Sequence, residues 1–396
     1  MSNPTPLNLD QPTYSLKQLT QYFLKLGTLG FGGPIALIGY MHRDLVEERQ
    51  WISEAAYQEG LTLAQVAPGP LAAQLSFYLG YVHYGILGSA LVGITFVVPS
   101  FLMVVALGWA YTLYGGLSWM QAVFYGVGAA VIGIIAMSAY KLTRKTVGTD
   151  WLLWGIYLVN AAATIITQSE RIELILGAGV LVWLIKSPPK KWFRGNKLNS
   201  LIGFPLIPFL AAVPTATPSL LGQIFIFFAT AGSFVFGSGL AIIPFLYGGV
   251  VKDFQWLNAQ EFLDAVAVAM ITPGPVVITT GFIGFLIAGL PGACIAAIAM
   301  FIPCYLLTII PAPYFKKHGK NPSISAFVNG VTVAATGAIA GAVVVLGQQS
   351  LRDIPTILMG LLTLTVLWRF GKKIPEPLIV AIAAIVGLVV YPLIYP

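Results

Sequence analysis

Acidic residues number only 14 in a chain of 396, histidine occurs three times and cysteine twice, and each shortage removes a class of function. A metalloenzyme or hydrolase needs clustered histidines and carboxylates. His42, His83 and His318 stand far apart, each near the end of an apolar segment. Catalytic residues, metal ligands and cofactors are therefore not expected, and an enzyme buried in the membrane is a distant alternative. Cys294 and Cys304 share one apolar run with no histidine nearby and read as packing residues. Charge of both signs is scarce at 9%, while 57% of the residues are hydrophobic and the mean hydropathy is +0.84. Such a composition belongs in a lipid bilayer. The period-two alternation of a β-barrel is missing. The 42 glycines and 26 prolines instead suit an all-α integral membrane protein with close helix contacts and broken helices. The formal charge of +7 sits mainly in short loops beside apolar spans, so it is a topology signal and implies no nucleic-acid partner.

Two triplets organise the chain. Pro68-Gly69-Pro70 recurs as Pro273-Gly274-Pro275 in an equally apolar setting. Proline lacks the N–H, the residue before a proline is pushed out of the α region, and glycine invites a turn, so a helix must stop and restart at each triplet. Pro70 and Pro275 suit the first position of the new helix. In hydrocarbon such a break is tolerable only where its bare backbone groups are buried in protein or line a polar cavity. A third break lies at Gly30-Phe31-Gly32-Gly33-Pro34.

The second half repeats the first. At an offset of 205, residues 23–70 meet 228–275 with 13 identities, among them Phe23/Phe228, Gly27/Gly232, Phe31/Phe236, Gly32/Gly237, Trp51/Trp256 and the whole Pro-Gly-Pro triplet. With one residue deleted the register continues at 204 through Gly80/Gly284, Gly85/Gly289, Pro99/Pro303, Gly126/Gly330 and Gly133/Gly337. Matches of Trp, Gly and Pro in constant register mark a duplication. The organisation read from this is a polar tail at 1–15, an N-terminal repeat at 16–186, a basic linker with one connecting span at 187–217, and a C-terminal repeat at 218–396. Uninterrupted spans in the first repeat run at about 87–113, 119–140, 151–167 and 172–185.

Loop charge gives orientation. Lys141, Arg144 and Lys145 follow the span 119–140, and the linker 186–197 is strongly basic, so both belong on the cytoplasmic side. In the second half the basic loops are Lys316–Lys320 and Arg369–Lys373, which makes 323–346 run outward where its counterpart 119–140 runs inward. The expected fold is an inverted-topology internal repeat with broken or re-entrant helices, a secondary-transporter architecture with its site near the midplane. The N-terminal side is cytoplasmic and the C-terminal side external in a multi-pass plasma (inner) membrane protein.

Helices restarting at Pro34, Pro70 and Pro275 would present free N–H groups and positive dipole ends, a ready anion site. The candidate substrate-binding set is Lys25, Gly32, Gly33, Pro34, Pro68, Gly69, Pro70, Gln74, Gly237, Ser238, Gly239, Pro273, Gly274 and Pro275. Lys25 would add a fixed charge, or else snorkel to the interface. Thr272, Thr279, Thr280 and Ser76 supply nearby hydroxyls. Glu59 and Asp264 occupy matched positions on the arms before the triplets. They are the proton-coupling candidates, with plain solvated carboxylates as the alternative.

The ordered set Phe23-Leu-Lys-Leu-Gly27, Phe31-Gly-Gly-Pro34, Glu48-Arg49, Trp51, Pro68-Gly-Pro70, Gln74, Tyr78-Leu-Gly80-Tyr81 and Pro99 resembles the N-terminal domain of the chromate ion transporter family. Phe236-Gly-Ser-Gly239, Pro244, Trp256, Pro273-Gly-Pro275, Phe282-Ile-Gly284 and Phe301-Ile-Pro303 resemble its C-terminal domain. The resemblance covers the chain from about residue 16, as in two-domain members. It implies a plasma-membrane carrier exporting chromate, a mimic of sulfate, driven by membrane potential or a proton gradient. Uptake of sulfate or another oxyanion is the alternative. A second copy of the chain, in a homodimer, is a further candidate partner. Leu71 stands where Asn is common in the family, and Ser238 where glycine is.

Overall fold

The computed structural model describes residues 12–31, 33–188, 219–234, 239–314, 321–371 and 374–395, and all its regular structure is helical. In the first repeat, α1 spans Leu16–Leu29, α2 Gly33–His42, α3 Glu54–Val66, α4 Leu71–Tyr114, α5 Ser118–Thr146, α6 Trp151–Thr167 and α7 Ile172–Lys186. In the second, α8 spans Leu220–Phe234, α9 Ile243–Tyr247, α10 Ala259–Ile271, α11 Thr279–Ile309, α12 Pro322–Ser350, α13 Ile354–Phe370 and α14 Glu376–Ile394. The expected connecting span at 201–216 lies outside the described residues. So do Gly32, Gly237, Ser238 and the loop 316–320.

Local chemistry sets the helix ends. Ser15 and Gln18 form a capping box that starts α1, and Asn258 with Glu261 does the same for α10. Each satisfies backbone N–H groups that the first turn leaves without partners. The duplication extends to details that the sequence leaves unstated. Residues 43–48 and 248–253 both form π-helical turns. Each is followed by a glutamine in the left-handed region, Gln50 at φ 52° and Gln255 at φ 51°.

Gly85 and Gly289 decide the path of the two longest helices. Gly85 has φ 58° and ψ −150°, and Gly289 has φ 62° and ψ −153°, a region open essentially to glycine alone. A methyl added to Gly80 would come 2.7 Å from the Gly88 carbonyl oxygen. Residues eight apart in a straight helix are about 12 Å apart, so α4 folds back at Gly85 into a short arm, 71–84, and a long arm, 86–114. The pair Gly284 and Gly292 marks the same fold in α11.

The two ends of the segment 51–84 therefore return to one face. Tyr14 stacks on Trp51 with ring centroids 4.8 Å apart, its hydroxyl is 2.7 Å from His83 Nδ1, and the Tyr84 hydroxyl donates to the Tyr14 carbonyl. His42, at the end of α2, meets Glu54 at the start of α3, 2.8 Å away. Both ends of each broken segment of the first repeat thus lie on this face. Tyr14, read as part of a polar tail, is in fact 4% exposed and belongs to the packed face. The long arm of α4 leads to the opposite face. There Gly115 and Gly116 share a cavity with Trp256, Asn258 and Leu286, the counterparts of Trp51, Ser53 and Val82. The start of the corresponding arm in the second repeat thus lies at this opposite face.

The repeats interleave. The fifth helix of each half packs on the last two helices of the other: α5 on α13 and α14, and α12 on α6 and α7. Glycines allow this approach, since a methyl on Gly126 would fall on the Ala383 carbonyl and one on Gly330 would lie 2.5 Å from the Ala178 carbonyl oxygen. Small residues at such crossings let backbones touch, which drives helix association where no water is available to be expelled.

Candidate functional site

Breaks of the two repeats meet each other. The first helix stops at Gly30, and α2 restarts at Gly33, φ 72°, followed by Pro34. The Gly30 carbonyl accepts a 2.9 Å hydrogen bond from the Gly274 N–H, which ties the first break of one repeat to the Pro-Gly-Pro break of the other. Gly274 has φ 92°. A methyl there would reach within 3.4 Å of the Gly27 carbonyl oxygen and overlap the Ser100 hydroxyl, which donates to that same carbonyl at 3.2 Å. At the matched break, Gly69 has φ 137°, and an added methyl would lie 2.8 Å from Gln74 Nε2 and 3.2 Å from Cys304 Cβ. Cys304 repeats the Ser100 role, its thiol lying 3.3 Å from the Gly232 carbonyl oxygen. Each Pro-Gly-Pro break thus rests on the long kinked helix of the other repeat. Gly239 closes the group, since a methyl on it would be 3.7 Å from Pro34 Cγ and 3.6 Å from Val276 Cβ.

Pro70 and Pro275 do not occupy the first helical position expected from the sequence. They are N-caps with extended backbone, φ −70° and ψ 114° for Pro70, φ −72° and ψ 124° for Pro275. A proline cap has no side-chain acceptor to offer, and neither helix start receives a side-chain cap. After Pro70 an α-helix begins at once, whose first-turn N–H groups have no intrahelical acceptor, whereas a three-residue 3-10 turn, Val276–Ile278, separates Pro275 from α11.

Side chains contribute less than the sequence suggests. Lys25 points from the exposed side of α1, away from the buried face on which Phe23 and Gly27 lie. Thr272, Thr279, Thr280 and Ser76 donate their hydroxyls to carbonyls of their own helices. Gln74 is fully buried; its Nε2 donates to the Pro68 carbonyl at 2.6 Å, while Oε1 is buried with no partner. Gln74 braces the first triplet.

The two carboxylate candidates differ in setting. Asp264 is 4% exposed and accepts from the Tyr111 hydroxyl at 2.7 Å and from Gln260 Nε2 at 2.9 Å. Glu59 is half-buried beside Tyr78. Their arms enter from opposite faces.

Sequence reasoning did not single out two further carboxylates. Glu376, at the start of α14, has Oε2 where a methyl on Gly33 would lie 3.8 Å away. Glu170, in the loop between α6 and α7, lies against Ala231, Phe234 and Phe245 of the second repeat. In each case the last helical hairpin of one half brings a carboxylate to the first break of the other. Nothing local in the sequence signals this, because the packing of α5 and α12 across the repeats creates it.

Burial pushes the Glu170 carboxyl up to about 8, against a smaller opposing effect of the Phe245 N–H. The folded state therefore binds this proton more tightly than the unfolded chain. Its stabilisation is complete below the ordinary carboxyl value of 4.5 and is lost as pH rises through about 8. Glu170→Gln should leave the melting temperature in detergent unchanged at acid pH and raise it at alkaline pH, flattening the curve. An unchanged slope in differential scanning fluorimetry would contradict the assignment.

Among the described residues no group of three or more His, Cys, Asp or Glu side chains could hold a metal ion. A family profile described as chromate transporter matches residues 17–183 and again 222–388. The chain is 82% identical to a probable chromate transport protein of Synechococcus elongatus over 96% of each chain. It is 66% identical to a chromate transport protein of Cupriavidus metallidurans, over 97% of this chain and 95% of that one. It is 30% identical to a chromate transport protein of Pseudomonas aeruginosa, over 96% and 94%. No solved structure matches.

Proposed function

The chain belongs to the chromate transporter family, and from that premise we propose that it carries chromate outward across the plasma membrane, binding it where the helix breaks of the two repeats converge. The supporting observation is the meeting of breaks from the two repeats: the Gly274 N–H of the second triplet donates to the Gly30 carbonyl of the first break, and Gly239 lies beside Pro34. A tetrahedral oxyanion accepts hydrogen bonds on every side and carries charge that matches several positive dipole ends at once. Discontinuous helices at the interface of inverted repeats are where secondary transporters hold their substrates. Sulfate has the same charge and shape. Purified protein in proteoliposomes should move radiolabelled chromate, with sulfate as competitor. Absence of saturable flux in either direction would refute the reading.

The orientation follows the basic loops. The face carrying Tyr14, Trp51 and the corner at Gly85 is cytoplasmic, and the face carrying Gly116, Trp256 and Tyr395 is external. A cysteine placed in 168–171 should react with an impermeant maleimide added outside intact cells, and one in 143–146 only after lysis. The reverse pattern would invert the assignment and with it the direction of export. Glu59 and Asp264 are the carboxylates that would carry protons if flux followed a pH step rather than the potential.

A further inference from the structure

A cavity of about 780 Å³ lies on the face carrying Gly115 and Gly116. Both repeats build it, and its wall holds Asp264, Glu261 and Asp353 with Arg352 as the sole basic side chain. Resting on the transport reading above, we propose that this cavity is the external release mouth and that Glu261 and Asp353 form a fixed negative screen that weakens binding of anions arriving from outside.

Three observations carry the inference. Firstly, the cavity lies along the arm that ends at the second triplet. Its wall includes Asp264 on α10, and the triplet at Pro273 follows nine residues later, about 13 Å along the chain at helical rise. Secondly, the charges of the wall are not neutralised by partners. Asp353 caps α13 and accepts from the hydroxyls of Tyr125 at 2.7 Å and Tyr395 at 3.3 Å, and from the Thr356 N–H at 2.9 Å. Glu261 accepts from the Asn258 N–H at 2.8 Å. Arg352 donates to Gln349 Oε1 and to neither carboxylate. Thirdly, the other face is arranged the opposite way. Asp150 caps α6 as Asp353 caps its repeat-mate α13, but there Lys186 Nζ lies 2.5 Å from Asp150 Oδ2. The mouth region of that face is filled by Tyr14 stacked on Trp51, with the Arg49 guanidinium 4.6 Å from the Trp51 ring centroid.

Fixed charges cannot move the equilibrium across the membrane. They change how tightly each side binds. A carboxylate some 6 Å from a dianion in water-filled space weakens its binding by about tenfold at low salt. Screening at 1 M ionic strength, where the Debye length is about 3 Å, should remove most of that.

Glu261→Gln and Asp353→Asn keep their caps, because Gln and Asn serve in the same positions. In oriented vesicles at low salt, each should lower the external chromate concentration that half-saturates exchange by about 3- to 10-fold. The internal value should not move. Arg352→Gln should act in the opposite sense at the external side, and all three shifts should collapse in 1 M salt. Equal shifts on both sides, or no external shift at low salt in variants that still transport, would overturn the proposal. Failure of the parent to move chromate from either side would instead refute the transport reading itself. A cysteine at Gly116 that reacts only from the cytoplasmic side would refute the orientation.

Discussion

Gly274→Leu should abolish chromate flux while the protein remains in the membrane as a single species. The backbone at Gly274 has φ 92°, where a side chain costs about 1–3 kcal/mol in strain. Overlap with Ser100 adds about 1–3 kcal/mol more. That sum is local. It falls on the junction where the Gly274 N–H meets the Gly30 carbonyl and Ser100 meets Gly27, and it leaves untouched the glycine crossings of α5 and α12 that hold the bundle together. A misplacement worth about 2.7 kcal/mol in anion binding is a hundredfold, so flux should fall at least that far. Ser100→Gly in the same chain clears the overlap but not the strain at Gly274, and should recover at most part of the thermal stability and none of the flux, because the isobutyl group still occupies the space in which backbone must approach the anion. Gly69→Leu, at φ 137° against Gln74 and Cys304, should behave alike. Flux that falls only in proportion to folded protein would mean that the triplets serve packing alone.

Outward flux should be driven by voltage. One charge crossing 100 mV is worth about 2.3 kcal/mol, so a dianion leaving a negative-inside compartment gains roughly 4.6 kcal/mol, about a 2,000-fold concentration ratio. Export then needs no coupled ion, whereas uptake of a dianion would need more than two positive charges to profit from the same potential. Glu59 and Asp264 could carry at most two protons per turnover. Chromate export from vesicles clamped with valinomycin and potassium, at equal pH on both sides, should rise with the imposed potential and survive Glu59→Gln with Asp264→Asn. The Asp264 variant keeps the hydrogen bond to Tyr111, since an amide oxygen still accepts from the hydroxyl. Flux that ignored the potential but followed a pH step would show coupling through protons, and would make those two carboxylates its first candidates.

The duplication, the helical class and the membrane were legible in the sequence because they are written in composition and register. Trp, Gly and Pro matched at offsets of 205 and 204 cannot be produced by hydrophobicity alone, and loop lysines mark sides independently of packing. The breaks were legible too, since proline and glycine act on their own backbone and need no neighbour to do so. What each break touches was not. Gly30 pairs with Gly274, Gly239 lies beside Pro34, and Gly69 rests on Cys304, contacts between residues 205 to 244 positions apart that no local pattern encodes. Lys25 shows the converse: its charge stood next to the first break in sequence, yet the helical period turns it to the exposed side of α1. Glu170, Glu376 and the wall of the external cavity come from segments scattered along the chain, brought together only because α5 and α12 each pack against the closing helices of the other repeat. Sequence determined where the backbone must break, through the covalent limits of proline and glycine. Tertiary packing decided which breaks face one another, because close approach depends on where the partner helix is also small.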